Sequence, residues 1–203
     1  MATGHYQTLC ERFKELGNAF LPEEFNPTGE YDDYVFERAR AYKAMTHAEL
    51  ESYFEEIGKA IAKKAWEDWK TNQKASKVLV ALMIFQSKAE NIPDSAKQKQ
   101  NKETRNLIDM VQDAYTSYIK YINGNNNGIK EKNLLHIFLP LGIELTDFPE
   151  DLLTSCDSYG SERGEIVHKT RAKQLLQPAD AQQSAENLLK QVEELDILLE
   201  RYL

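Results

Sequence analysis

The chain has 203 residues, 41% of them hydrophobic, and a formal net charge of −8. That much apolar material supports a sizeable core, while the acidic balance excludes a broad basic docking face for nucleic acid, so any such site must be local. The longest uninterrupted apolar run, Val78 to Phe85, falls far short of the ~20 residues that span a bilayer, which excludes a transmembrane helix and any membrane partner built on one.

The first residues, MATGHYQTLCERFKEL, show no basic start followed by an apolar stretch, which predicts no secretory signal and a cytoplasmic protein. Met1 to Tyr31 begins amphipathic and breaks at LPEEFNPTGEYDD, where Pro22, Pro27 and Gly29 among several acids mark a loop. From Asp33 to Lys70, Leu50, Phe54, Ile57, Ile61 and Ala65 recur at steps of three and four, which predicts one buried stripe on a long helix. Trp66 and Trp69 are expected to pack that helix against a neighbour. His47 and Glu51 lie one turn apart beside the stripe, the spacing of a surface pair.

Lys74 to Lys88 contains VLVALMIF, apolar on all sides; with helical neighbours it reads as the central buried helix. Asn91 to Asn101, with Pro93, reads as a polar linker in which Lys97, Lys99 and nearby Lys102 are solvated. Thr104 then opens an amphipathic helix carrying Leu107, Val111, Tyr115, Tyr118 and Ile122, its tyrosines half-buried in packing. Gly124 to Gly128, GNNNG, is a turn, because Asn and Gly tolerate positive φ and end helices well. The following helix, Ile129 to Leu139, is expected to stop at Pro140 and Gly142. Asp147 to Gly160, with Pro149, reads as irregular and leads into a further helix with Ser158 or Ser161 as N-cap and Glu162 in its first turn. The chain breaks at Pro178. Ala181, Ala185, Leu188, Val192, Leu195, Leu199 and Tyr202 then form a heptad seam for lengthwise packing in a bundle or against a partner chain.

The fold class is therefore all-α. Residues 1–203 are expected to form one domain, with 1–31 as an N-terminal helical extension and 32–203 as the core bundle. No Gly-rich phosphate loop, paired-Cys site, H-E-x-x-H or G-x-S-x-G motif occurs, so no metal and no cofactor is expected. Cys10 and Cys156 match no metal spacing and are read as reduced packing residues.

The stretch with chemistry is SERGEIVHKTRAK, Ser161 to Lys173, which sets Arg163 and His168 five positions apart. On a helix these project about 140° apart and about 7.5 Å along the axis, so they do not stack as an i, i+4 pair. In a symmetric dimer with this helix at the twofold, two Arg and two His would line one cleft. A fixed cation with a titratable imidazole suits a phosphodiester: His moves a proton near neutral pH, and Arg holds phosphate oxygens bidentately. Lys169, Arg171 and Lys173, within two turns, would neutralise flanking phosphates and are the candidate RNA-binding residues.

RGEIVH in the second half of an all-helical chain resembles the R-x4-H motif of the HEPN superfamily. GNNNGIKEKNLLHIFLPLGIEL, Gly124 to Leu145, resembles its RiboL-PSP HEPN branch. The likeness runs from about Tyr34 onward; many members carry Asn, Asp or His directly after the Arg, where this chain has Gly164. It implies a HEPN-like bundle of long antiparallel helices with shorter additional ones, and a homodimer with the Arg163/His168 helix at the interface. THAELESYFEEI resembles the HEPN helix in which an acidic residue points toward the motif, which implies Glu51 as a third catalytic residue orienting Arg163 or tuning His168.

Two functions follow from the resemblance. One is a metal-independent endoribonuclease acting on RNA in a prokaryotic toxin, stress or antiphage defence system, with an antitoxin or defence-system partner. The alternative is a noncatalytic HEPN-like dimeric module that binds a partner protein or RNA, as the acidic charge and Gly164 favour.

Overall fold

The computed structural model describes residues 2–86, 106–168 and 175–203, and of residues 165–168 the backbone only. Seven α-helices occur among them: α1 Gly4–Phe20, α2 Asp33–Asn72, α3 Lys77–Gln86, α4 Leu107–Asn125, α5 Glu131–Phe138, α6 Leu152–His168 and α7 Pro178–Leu199. Short 3₁₀ turns follow at Leu139–Leu141, Leu145–Asp147 and Glu200–Tyr202, and no strand occurs among the described residues. The fold is all-α.

The 40-residue α2 is the axis: α1, α3, α4, α5, α6 and α7 all pack against it. Its inward residues Leu50, Phe54, Ile57 and Ile61 are fully buried and Ala65 nearly so, the stripe expected from their spacing. Burying one such Leu, Ile or Phe stabilises by about 1.5–3 kcal/mol, so this stripe is a large contributor to the core. Trp66 stacks on Tyr115 of α4, centroids 5.1 Å apart and planes 9° from parallel. The heptad seam of α7 turns inward within the bundle, with Ala181, Ala185, Leu188, Val192, Leu195 and Leu199 buried. Pro178 is in the first turn of that helix, where its missing N–H costs nothing.

The N-terminus is tied in from two sides. Asp196 of α7, fully buried, accepts hydrogen bonds from Thr3 N at 2.7 Å, Thr3 Oγ1 at 2.6 Å and Tyr53 Oη at 2.8 Å. Thr3 Oγ1 also caps α1 by accepting from Tyr6 N.

Several elements differ from their sequence reading. Helix α3 is not a central buried helix: Val78, Leu79, Ala81 and Leu82 are inside, but Val80, Ile84 and Phe85 are exposed. An all-apolar segment carries no information about which side faces the core. Leu107 stands outside the α4 stripe, exposed in its first turn, whereas Tyr118 is wholly buried and donates to the Ile137 carbonyl at 3.0 Å. Helix α4 runs through Gly124 and Asn125, so the turn is 126–128. Pro140 continues the chain as a 3₁₀ turn that ends at Gly142, whose φ is 74°. The largest difference is α6, which starts at Leu152; Ser158, Gly160, Ser161 and Glu162 lie inside it rather than at its cap. The linker reading of 91–101, and the helix start at Thr104, fall outside the described residues.

Candidate functional site

The stripe of α2 changes character toward its N-terminal half. Lys43, Thr46 and His47 are buried there, and they face Tyr159, Gly160, Glu162 and Arg163 of α6. Lys43 pairs with Glu162 and lies 4.6 Å from the Tyr159 ring centroid, while the Thr46 and Tyr159 hydroxyls are 2.6 Å apart. These contacts satisfy a buried ammonium that would otherwise carry a heavy desolvation cost.

One turn further along the seam lies His47, 3% exposed, with Nδ1 buried and without a hydrogen-bond partner. It was expected as half of a surface pair with Glu51; instead its Nδ1 sits 3.9 Å from Glu51 Oε2 inside the seam. Burial, and then the positive charge of Arg163, hold the imidazole pKa down to about 4, so it is neutral at pH 7.

Glu51 is held from the turn: its Oε1 accepts from Gly128 N at 2.5 Å. Burial raises its pKa, the Gly128 N–H lowers it, Glu55 raises it and Arg163 lowers it, with a net upward shift. Gly128 is obligatory, because its φ of 122° is a conformation L side chains rarely adopt. Behind it the Asn126 amide is consumed by the turn itself. Asn126 Nδ2 donates to Glu55 Oε1 at 2.8 Å, and Asn126 Oδ1 accepts from Asn133 Nδ2 at 3.1 Å. The Asn126 amide therefore fixes the loop, while Asn125 and Asn127 are exposed.

Arg163 completes the cluster. Its Nε is buried without a hydrogen-bond partner, and its charge acts on both His47 and Glu51. Among the described residues no carboxylate forms an ion pair with it. The structure thus brings Arg163 and Glu51 to one place, at the meeting of α2, α6 and the 126–128 turn, and adds His47. A cleft of about 600 Å³ between α1, the loop after it and α7 shares no lining residue with this cluster. His168 is the last residue of α6; its side chain, and Lys169, Arg171 and Lys173, lie outside the described residues.

The family model described as RiboL-PSP-HEPN matches residues 10–201. The chain belongs to the RiboL-PSP HEPN family. The matched span starts inside α1 and takes in α2, the Asn turn and the whole of α6. No curated protein and no solved structure matches the chain. In this HEPN chain the R-x4-H motif occupies the C-terminal part of α6, with Arg163 one turn beyond Gly160. No described helix is long and apolar enough to cross a membrane, and no group of three metal-ligating side chains occurs among the described residues.

His47 could have been found from the sequence. Stepping back three residues from Leu50, or seven from Phe54, lands on it, so it continues the buried stripe. The Glu51 partner at i+4 pointed instead to a surface pair.

Proposed function

We propose that this HEPN chain is a metal-independent endoribonuclease with Arg163 and His168 at its centre. The observation that supports this best is an arginine with a buried, unpartnered Nε on the helix that also carries His168, whose charge acts on the neutral His47 imidazole and on Glu51 without forming an ion pair. An arginine without a carboxylate partner is available to an external anion, and its planar fork matches two phosphate oxygens.

In this reading the RNA 2′-hydroxyl attacks the adjacent phosphorus as its proton passes to a base, and the bond from phosphorus to the 5′ oxygen breaks as that oxygen takes a proton. His168 serves as the base or the acid, and Arg163 stabilises the charge that builds on the non-bridging oxygens. The products are a 2′,3′-cyclic phosphate and a 5′-hydroxyl. Glu51, fixed by Gly128, acts as the third site residue by tuning Arg163 or His168 through its charge. Lys169, Arg171 and Lys173 hold flanking phosphates, which would give an acidic chain its local affinity for RNA.

We propose further that two copies pair through α6, in the cytoplasm, and that a toxin, stress or defence setting with a cognate regulator contains the activity. Gly164 leaves room for that pairing, since a Cβ there would meet nothing within 4 Å among the described residues. The test is incubation of the protein in EDTA with a structured RNA and its DNA counterpart. Cleavage of RNA alone with cyclic phosphate ends is expected; cleavage of both, or of neither, would count against it.

The net charge of −8 favours a second reading, a noncatalytic HEPN module that binds a partner protein or RNA. Turnover separates the two.

A further inference from the structure

Two polar atoms of the α2–α6 seam are buried without a hydrogen-bond partner, His47 Nδ1 and Arg163 Nε. A neutral imidazole with its proton on Nε2 offers Nδ1 as an acceptor, and an arginine Nε is always a donor. Buried polar groups are nearly always satisfied, so a lone acceptor and a lone donor in one seam call for a state in which both are used.

The groups around His47 restrict what that state is. On its own helix, Glu51 Oε1 is already engaged by Gly128 N, and Glu51 Oε2 stands 3.9 Å from Nδ1, beyond hydrogen-bond reach. On α6, a Cβ at Gly160 would stand 3.7 Å from His47 Nε2; on the turn, one at Gly128 would stand 3.8 Å from it. Lys130 approaches Gly160 through its aliphatic Cγ, and the Lys43 ammonium is taken by Glu162. The charged group left to address the ring is Arg163.

We infer that His47 is a positioning residue whose Nδ1 accepts the hydrogen bond of Arg163 Nε when an RNA phosphate engages the two terminal nitrogens of the guanidinium. The identity of the anion rests on the nuclease reading above. An arginine side chain has many rotamers, and ordering it at the moment of binding costs entropy. Fixed at Nε, its fork presents both terminal N–H groups to one phosphate in a single orientation. A protonated imidazole would offer no acceptor and would repel the guanidinium, so the burial that keeps His47 neutral is what makes the arrangement work.

The experiment uses the full chain with ¹⁵N-labelled histidine and arginine side chains, and an RNA oligonucleotide carrying 2′-O-methyl groups throughout, which binds without being cut. At pH 7 His47 is expected to be neutral with its proton on Nε2. On adding the oligonucleotide, the Arg163 Nε–H resonance is expected to shift and become protected from solvent exchange in wild type and in His47→Asn, whose amide oxygen stands in for Nδ1, but not in His47→Leu. Cleavage of unmodified RNA should follow: kcat within about threefold for His47→Asn, down about tenfold or more for His47→Leu, with KM changed little in both. A proton on Nδ1, or an Arg163 response indifferent to His47→Leu, overturns the inference. If wild type cuts no RNA, the nuclease reading falls, while the nitrogen resonances still decide the pairing, with inorganic phosphate as the probe if the RNA does not bind. Silence of Arg163 Nε–H toward both probes overturns it.

Discussion

Gly160 packs α6 against His47: a Cβ there would make ordinary contact with His47 Nε2 at 3.7 Å and press on Lys130 Cγ at 3.1 Å. Arg163 lies one turn further along the same helix, so the approach at Gly160 sets the distance at which the guanidinium meets the α2 seam. Gly160→Ala gains helix propensity and meets only a flexible lysine stem, and its stability is expected to stay within about 1 kcal/mol of wild type. Gly160→Leu cannot be absorbed in the same way. It should cost about 1–3 kcal/mol by overpacking and reduce cleavage, read from urea melts and a kinetic assay.

Two other helical glycines should respond to Ala with opposite signs. At Gly58 a Cβ would stand 2.7 Å from Tyr118 Oη and 2.8 Å from Ile137 Cγ2, both fully buried, so Gly58→Ala is expected to destabilise by about 2–3 kcal/mol. At Gly164 a Cβ meets nothing, and Gly164→Ala should stabilise the isolated chain by about 0.5–1 kcal/mol through helix propensity. If that second variant also loses dimer or cleavage, the open space beside Arg163 is one that a partner copy or RNA occupies.

Acid should destabilise the fold through His47. Its pKa is depressed from 6.5 to about 4, so the stability it supports is present above pH 6.5 and is lost as the pH falls through 4, by about 3 kcal/mol at most. His47→Gln is expected to flatten the dependence of stability on pH across that window. Glu51 has the opposite sign: a raised carboxylate pKa contributes stability below the ordinary value of 4.5, and that stability is lost as the pH rises through the folded value. Glu51→Gln keeps an acceptor for Gly128 N–H, and is expected to be no less stable than wild type at pH 7.

The reach of the sequence can be judged at particular residues. The stripe from Leu50 to Ala65 and the heptad of α7 were readable because amphipathic spacing names both the element and its inward face. Val80, Ile84 and Phe85 were misplaced because VLVALMIF has no polar side to mark solvent. The start of α6 was missed because Pro149 and Gly160 read as breakers. Pro149 precedes the helix, and Gly160 sits inside it facing Lys130 and His47, a tertiary setting that local propensity does not carry. At the site, Arg163 was singled out with His168 by residue type and spacing and Glu51 through family likeness, while His47 was hidden by a carboxylate at i+4 that suggested a solvent-exposed pair.

The N-terminus should prove part of the folding unit. Asp196 takes three hydrogen bonds, two from Thr3 and one from Tyr53, with no exposure of its own. Asp196→Ala orphans those donors and is expected to cost about 3 kcal/mol or more, seen as a lower urea midpoint. Asp196→Asn keeps part of the acceptor set and should fall between the two.

The decisive measurement compares wild type, Arg163→Ala and His168→Ala on a 5′-labelled structured RNA in EDTA, with the oligomeric state of each preparation recorded by light scattering. Cleavage by wild type alone, leaving cyclic phosphate ends while all three share one oligomeric state, is the expected result. Three equally inert preparations, or three equally active ones, would contradict a nuclease centred on Arg163 and His168.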